Sequence, residues 1–187
     1  HLGEKGHWQK QTLYDRATKV PLIISGPGIK SNKKILNSPV ELVDLYKTIL
    51  DLTGIDVPKF VQGYSLKESL VSDKEVERKS ALSELRVYSE KELGQGYSIK
   101  TNRYRLIEWD YKNKIYHELY DHKYDPDENN NLSNDELYIQ IKDSLKIILK
   151  NRIFEARKKP VGLGRQIQNA KPNFEPKRIF SSKKSRL

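Results

Sequence analysis

The sequence contains no cysteine, and this absence excludes several kinds of site. Among its 187 residues no thiol is available to form a disulfide, to bind a metal as a thiolate or to act as a nucleophile. It has four histidines, His1, His7, His117 and His122, and no pair of them has the H-E-x-x-H spacing of a self-contained zinc site. Any chemistry within these residues must rest on carboxylates, amines, hydroxyls and imidazoles.

Long apolar runs are missing as well. No stretch approaches the ~20 apolar residues that a membrane-spanning helix needs. The first residues also lack the apolar core and the cleavage site of a signal peptide. The nucleophile elbow G-x-S-x-G, the P-loop and the G-x-G-x-x-G motif are absent too. The sequence therefore predicts no membrane span and no self-contained site of these common kinds.

The net charge of +10 comes from one end of the chain. Residues 156–187 carry ten Lys or Arg side chains and a single acid, Glu175, whereas the remaining residues are close to neutral. Such a tail is either solvated without fixed structure or a binding segment for a polyanion, such as a nucleic acid or a sulfated glycan. Because it lacks regularly interleaved aromatics and any nucleic-acid motif, we expect no nucleic-acid partner.

The first 55 residues predict the end of an α/β domain. The apolar run Val20–Ser25 is followed by a turn sequence and is typical of a buried strand. A helix is expected between Ser38 and Gly54, with Ser38 and Glu41 forming a capping box. Its many apolar residues indicate burial around much of its circumference. A strand, a loop and a buried helix are the elements of a sheet covered by helices.

Residues 56–155 predict a separate, smaller layer. A short helix is expected at Leu66–Leu70, and the charged run Ser72–Lys79 is expected to be exposed. A helix from the second capping box, Ser133 with Glu136, is expected to continue to about residue 152. Between these helices, period-two alternation predicts an antiparallel meander. Its strands are expected at residues 80–87, 96–101, 103–109 and 114–120.

The opening loop offers the most plausible site chemistry. An acid, an imidazole, an indole, an ammonium and a phenol lie within the first fifteen residues, at Glu4, His7, Trp8, Lys10 and Tyr14. An ammonium on a loop just before a buried strand of an α/β sheet suits an anionic substrate. The alternative is a solvent-exposed lysine without a functional role.

The histidines beyond this loop are expected to be structural. His117 lies in a predicted strand. His122 lies in an acidic loop that lacks the D-x-D-x-D-G spacing of an EF-hand. We therefore expect this loop to be a turn that caps the next helix rather than a metal site. Its acidic residues are Asp121, Asp125, Asp127 and Glu128.

Four blocks of the sequence resemble the type I sulfatases. They lie, in order, at Leu2–Ile23, Val40–Tyr46, Gly96–Trp109 and Glu118–Leu132. The first block resembles the segment that directly follows the metal-binding Asp-His-Gly of the family. The third contains the run Gly-Tyr-Ser-Ile-Lys-Thr and is similar to the C-terminal subdomain of iduronate-2-sulfatases in particular.

This resemblance, which covers roughly residues 1–150, and the charge of the tail together imply three regions. Residues 1–55 would end an alkaline-phosphatase-like α/β sulfatase domain, residues 56–155 would form an α+β subdomain with an antiparallel sheet and a packing helix, and residues 156–187 would form a basic, flexible tail. The chain would be the C-terminal portion of a longer enzyme located in the periplasm, outside the cell or in the lysosome. The sequence does not indicate an oligomeric state.

The resemblance also implies an activity. The family hydrolyses sulfate esters with a formylglycine nucleophile and a calcium ion, and both the nucleophile and the calcium ligands are expected upstream of residue 1. The substrate would be a sulfated polysaccharide that carries sulfate on a uronic-acid residue, and this chain alone would be inactive. The alternatives are a sulfatase of another glycan specificity and a polyanion-binding module without catalysis.

The resemblance assigns site residues as well. Lys10 matches the family lysine that reaches the sulfate group. His7 and Trp8 are expected to line the sugar pocket, with loop packing as the alternative. Three basic residues of the predicted sheet are expected to contact the substrate carboxylate or neighbouring sulfates, or else to lie in solvent: Arg86, Lys100 and Arg103. No metal ligand is expected among residues 1–187.

Overall fold

A four-stranded antiparallel sheet forms the centre of the computed structural model, which describes residues 1–30, 35–72, 74–89 and 92–158. Its strands are β1 (Ala81–Ser89), β2 (Glu92–Lys100), β3 (Tyr104–Tyr111) and β4 (Lys114–Asp121), paired in chain order. This arrangement confirms the predicted meander. The turn between β3 and β4 is Lys112-Asn113, and both residues have positive φ. A positive φ at both central residues is the geometry that fits the twist of a two-residue hairpin.

Four α-helices accompany the sheet within the described ranges. They are α1 (Asp15–Thr18), α2 (Val43–Thr53), α3 (Lys67–Val71) and α4 (Ile139–Arg157). Single turns of 3-10 helix occur at Glu4–Gly6 and Glu136–Tyr138. None of these helices is both long and apolar enough to cross a membrane.

One face of the sheet packs against α4. Ile99, Leu106 and Leu119 come from three adjacent strands and form a core with Leu145 and Leu149, each at most 4% exposed. Leu145 and Leu149 are one helical turn apart, so both side chains point to the sheet. This packing confirms the predicted final helix, which continues beyond its expected end to Arg157.

The other face of the sheet packs against the start of the chain. Leu13 is buried against Ile107 and Tyr120, with Trp109 beside them. Gly96 allows this close approach, because a Cβ at that position would collide with the Trp109 ring and with Leu13. The opening segment is therefore part of the same folded unit as the sheet.

Ion pairs join α2 and the residues just before it to the segment that precedes β1 and to α4. Asp44, which is fully buried, accepts hydrogen bonds from the Arg78 guanidinium at 2.9 and 2.5 Å. Glu41 pairs with both Arg78 and Arg152, and it accepts a hydrogen bond from the backbone N–H of Leu82 in β1. These contacts fix the position of α2 although α2 contributes little to the main core.

The predicted strand at Val20–Ser25 is wrong for this structure. None of these residues belongs to a strand, and Ile23 is 89% exposed. The physical reason is pairing: no strand among the described residues lies beside the segment to satisfy its backbone hydrogen bonds.

The predicted start and burial of α2 are also wrong. The helix begins at Val43, and Glu41 makes no capping hydrogen bond because its carboxylate is held by two arginines and by β1. One side of the helix is exposed rather than buried, with Tyr46 and Ile49 at 54% and 57%. The predicted end is correct, since Gly54 follows the helix with a φ of 72°.

Two smaller predictions need correction. The run Ser72–Lys79 is not uniformly exposed, because Val76 and Arg78 are 2% and 3% exposed. The predicted capping box of Ser133 and Glu136 is not formed: Asp135 caps the 3-10 turn that leads into α4, and its side chain accepts a hydrogen bond from the Leu137 N–H at 2.9 Å. The short helix expected at residues 66–70 is confirmed by α3.

The proposed domain boundaries stay predictions, and the basic tail from residue 159 onward lies outside the described residues.

Replacing Asp44 by Asn should lower the free energy of unfolding by about 3 kcal/mol, because the buried Arg78 guanidinium loses a charged partner. Urea unfolding of the 187-residue chain measures this change. Glu68→Gln is the matched control, since it breaks an exposed ion pair with Lys74 and should leave the urea midpoint unchanged. Equal midpoints for the two variants would show that the buried pair does not hold α2.

Candidate functional site

Residues 1–12 form a compact surface loop. The Gln9 N–H donates to the His1 carbonyl at 3.1 Å, and the Gly3 N–H donates to the His7 carbonyl at 3.0 Å. Gly3 and Gly6 have φ values of 117° and 72°, a region that favours glycine. The glycines of the opening block therefore encode the shape of this loop.

The opening loop displays three predicted site residues to solvent. His7 and Lys10 are exposed, and Trp8 is 70% exposed. The His7 ring lies 5.6 Å from the ring of His1 and 6.2 Å from that of Tyr14. Within the described part of the chain, the Lys10 ammonium has no ion-pair or hydrogen-bond partner. This cation is thus available to an anion that approaches the loop.

Arg105 of β3 anchors the segment that follows the loop. Its side chain is 1% exposed, and each of its N–H groups has an acceptor nearby. The acceptors are the Glu128 carboxylate at 2.6 Å, the Leu13 carbonyl at 2.8 Å, the Ser98 hydroxyl at 2.8 Å, the Thr18 hydroxyl at 3.1 Å and the Asp15 carboxylate. A single guanidinium therefore joins β2, β3, α1 and the loop after β4.

Glu118 of β4 provides a second anchor. It accepts hydrogen bonds from the Tyr14 hydroxyl at 2.8 Å, from the Tyr120 hydroxyl at 2.5 Å and from the Trp109 indole at 2.8 Å. Burial, and then the hydrogen bonds to this carboxylate, raise the pKa of Tyr14 and of Tyr120 well above the ordinary value. Both phenols therefore remain protonated hydrogen-bond donors near neutral pH. Their role is structural, and they do not act as acid–base groups.

Lys100 lies on the face of the sheet that carries the opening segment. It pairs with Arg105 across the β2–β3 ladder, and paired residues share a face. Its ammonium donates to the Thr101 carbonyl at 2.6 Å. Burial lowers the pKa of Lys100 to about 8, although the nearby Asp15 carboxylate opposes this effect.

The two other predicted basic residues already have carboxylate partners. Arg103 donates two hydrogen bonds to Asp121, at 2.8 and 2.6 Å, and this pairing raises the pKa of Arg103 and lowers that of Asp121. Arg86 is 3.3 Å from the exposed Glu84. It lies on the opposite face of β1 from Leu85, which packs near Leu13. The structure thus does not bring Arg86 to the opening loop.

Among the described residues, Asp15, His122 and Glu128 place possible ligand atoms within 4.8 Å of one another, which is close enough for a metal ion. The guanidinium of Arg105 already binds both carboxylates. Calcium needs six to eight oxygen ligands, and here a cation already occupies the carboxylates. These residues do not fit the calcium ion that the family resemblance implies.

Sequence reasoning did not single out Arg105, Glu118 or Glu128 as partners of the opening loop. A signal existed, because Arg105 alternates with Ile107 and Trp109 and so places a charge in a row of buried side chains. The alternation indicates that the charged side chain of Arg105 needs a buried hydrogen-bond or ion-pair partner, but it does not identify that partner.

The chain matches sulfatases over most of its length. Residues 3–157 match the family model described as N-sulphoglucosamine sulphohydrolase, C-terminal. Arylsulfatase K of Bos taurus is 33% identical over 137 residues, which cover 70% of this chain and 25% of that protein. Two Bacteroides thetaiotaomicron proteins are each 35% identical. One is a delta 4,5-hexuronate-2-O-sulfatase, and the match covers 78% of this chain and 31% of that protein. The other is an N-acetylglucosamine-6-O-sulfatase, and the match covers 70% of this chain and 24% of that protein.

A solved structure agrees with these matches. A putative sulfatase from Bacteroides thetaiotaomicron superimposes with a TM-score of 0.67 at 30% identity, covering 88% of this chain and 34% of that one. This likeness confirms the predicted fold class, the end of an alkaline-phosphatase-like α/β domain followed by a small antiparallel-sheet subdomain. The chain spans between 24% and 31% of the length of the three relatives.

The low pKa of Lys100 predicts a pH dependence of stability. Between pH 8 and 10.5 the unfolded chain binds more protons at this residue than the folded chain does. The contribution of Lys100 to the free energy of unfolding is therefore unfavourable below pH 8, and it is relieved as the pH rises through this window.

Lys100→Met should remove this rise. Urea unfolding of both proteins at several pH values from 7 to about 10.5 measures the difference. Lys114→Met, at an exposed lysine of β4, controls for the loss of a positive charge. Parallel stability curves for the wild type and Lys100→Met would contradict the prediction.

Proposed function

The chain belongs to the sulfatase family, and from this premise we propose that the polypeptide of which it is part hydrolyses a sulfate ester. The substrate is a sulfated saccharide, and the sulfate removed is carried by a uronic-acid residue. The hexuronate-2-O-sulfatase relative supports this substrate, as does the resemblance of residues 96–109 to iduronate-2-sulfatases. Because the chain spans only part of its relatives, the activity is proposed for the whole enzyme.

The observation that carries the proposal is the environment of Lys10. The residue is exposed and without a partner in the described structure, yet it lies on a loop whose following segment is fixed to the sheet by Arg105 and Glu118. When the S–O bond of a sulfate ester breaks, negative charge builds on the sulfuryl oxygens and on the leaving oxygen. A cation held in position before the reaction stabilises that charge without reorganisation.

His7 and Trp8 complete the substrate-facing part of the loop. An exposed indole two residues before an exposed ammonium suits a sugar that carries an acidic group, since the sugar ring can pack on the indole while the acid meets the charge. Lys100 is a further proposed contact for substrate acids, because it lies on the sheet face next to the opening segment. Arg103 already binds the Asp121 carboxylate, so it could contact a substrate acid only by binding both groups at once. Arg86 pairs with Glu84 away from the opening loop and is not part of this proposal.

A second candidate differs only in the sugar. The N-acetylglucosamine-6-O-sulfatase relative is 35% identical, the same value as for the hexuronate-2-O-sulfatase. Lys10 would serve both substrates equally, because it contacts the sulfate rather than the sugar. The two candidates are therefore distinguished by assaying the enzyme with both saccharides, a 2-O-sulfated unsaturated uronide and a 6-O-sulfated N-acetylglucosamine.

The exposed side of α2 supports a larger enzyme. Leu42 just before the helix and three residues within it form one exposed apolar side. Leu42, Val43, Tyr46 and Ile49 are 76%, 44%, 54% and 57% exposed. A contiguous apolar surface of this kind marks an interface. Since the relatives are three to four times longer than the matched segment, we propose that the rest of the α/β sulfatase domain covers this side of α2.

Replacing Lys10 by Ala in the whole enzyme should lower kcat/KM by about 10²- to 10³-fold, because a charge-stabilising group is lost. Steady-state kinetics with the two saccharides measure the effect. Lys114→Ala, at an exposed lysine on an edge strand, is the control and should keep wild-type activity. Near-normal turnover by Lys10→Ala would remove the proposed role, and turnover by the 187-residue chain alone would show that no further catalytic part is needed.

Replacing Ile49 by Lys should leave the urea midpoint of the 187-residue chain unchanged, because this side chain is exposed there. In the whole enzyme the same change buries a charge at an interface and should reduce the yield of folded protein. Ile147→Lys on α4, where the isoleucine is 62% exposed, is the matched control. Equal yields for both variants of the whole enzyme would contradict the assigned interface.

A further inference from the structure

Glu128 has an unusual position for an acidic residue. It follows β4 in the acidic loop, it is 1% exposed, and its φ is +58°. Glutamate is seldom fully buried, and a non-glycine residue in the left-handed region is strained. Backbone strain of this kind persists only where the surrounding contacts impose it. The contacts of Glu128 therefore indicate which interactions keep its backbone in this strained conformation.

Glu128 holds the start of the chain at two points, one on either side of residues 6 to 14. On one side, the Lys5 ammonium donates to its backbone carbonyl and lies 5.0 Å from the centre of the Tyr14 ring. On the other side, the Asp15 N–H donates to Oε2 at 2.8 Å. Residues 6 to 14, which include His7, Trp8 and Lys10, lie between these two contacts.

The carboxylate of Glu128 is in turn held by the sheet subdomain. Oε1 accepts from Arg105 Nε at 2.6 Å and lies 2.7 Å from His122 Nε2. Burial alone would raise the pKa of Glu128, but the hydrogen bond with His122 and the charge of Arg105 bring it below the ordinary value. The residue is thus a charged acceptor near neutral pH, with its two carboxylate oxygens facing opposite parts of the structure.

We propose that Glu128 is a positioning residue for catalysis, through which the sheet subdomain fixes the opening loop and hence the Lys10 ammonium. This inference rests on the proposed function. Glu128 touches no reacting atom, and it acts by holding residues 5 and 15 at a fixed separation from β3. Rate enhancement by a preorganised cation requires that the cation be in place before the transition state forms. A displacement of 1 Å can lower a rate by about 10²-fold.

The variant that tests this role is Glu128→Gln, which keeps the size of the side chain and removes its charge. Glu108→Gln is the matched control: Glu108 lies on the other face of β3, 3.0 Å from His117, and contacts no residue of the opening loop among the described residues. Urea unfolding of both variants shows whether either change acts merely by unfolding the sheet.

The first measurement is hydrogen exchange on the 187-residue chain. In Glu128→Gln the hydrogen-bonded amides of Gly3, His7, Gln9 and Thr12 should exchange about tenfold faster, because the loop opens locally. Amides of β2 and β3 should keep their protection. Unchanged exchange in the loop would overturn the proposal, and so would an equal increase in Glu108→Gln.

The second measurement is a double-mutant cycle in the whole enzyme. Glu128→Gln should lower kcat by about 10- to 100-fold with a smaller change in KM, because the loop must be ordered in the transition state. If Glu128 acts through Lys10, the same change should have little further effect on a Lys10→Ala enzyme. Full additivity of the two changes would overturn the positioning role.

Different results would contradict the proposed function and the positioning role of Glu128. A wild-type enzyme that hydrolyses neither saccharide would contradict the proposed function, while the exchange data would still decide whether Glu128 fixes the loop. An active enzyme whose kcat is unaffected by Glu128→Gln would overturn the inference and leave the proposed function standing.

Discussion

The buried guanidinium of Arg105 is the interaction on which the rest of the structure depends. It lies between the carboxylates of Asp15 and Glu128, which are remote from each other in the chain, and every N–H that it carries is used. A buried ion of either sign is strongly disfavoured unless its partners are in place. The sheet, the opening segment and the acidic loop must therefore assemble together.

This requirement gives the two faces of the sheet different characters. The face towards α4 carries the apolar core, in which Leu106 and Leu119 pack on Leu149 and are held mainly by hydrophobic burial. The opposite face combines a small apolar cluster around Leu13 with charged and phenolic hydrogen bonds. Directional bonds of this kind determine geometry as well as contact. The loop that carries the candidate site is attached to the directional face.

The parts of the fold that depend on local patterns were predictable from the sequence. Alternation located β1 to β4, and apolar spacing located α4 around Leu145 and Leu149. Features that depend on distant partners were not predictable. Glu41, predicted to cap a helix, is bound by Arg78 and Arg152. The apolar run at Val20–Ser25 has no strand beside it in the part of the chain that the structure describes. In the candidate site, composition and resemblance single out Lys10, whose role stays a prediction. The contacts of Glu128 with Lys5 and Asp15 join residues more than 100 positions apart, and no local pattern indicates them.

The charged anchor is not explained by stability alone. Removing one partner of a buried ion pair is destabilising, but replacing the whole pair by well-packed apolar side chains is often neutral or stabilising, so stability alone does not require charged groups at this position. An apolar contact at Asp15 and Glu128 could hold the segment against the sheet, but it would leave the segment free to slide and rotate. The bonds from Arg105 and Lys5 specify both position and orientation. That specification matters only if residues 6 to 14 must present their side chains at fixed coordinates, which is what a loop that places a cation against a reacting anion requires.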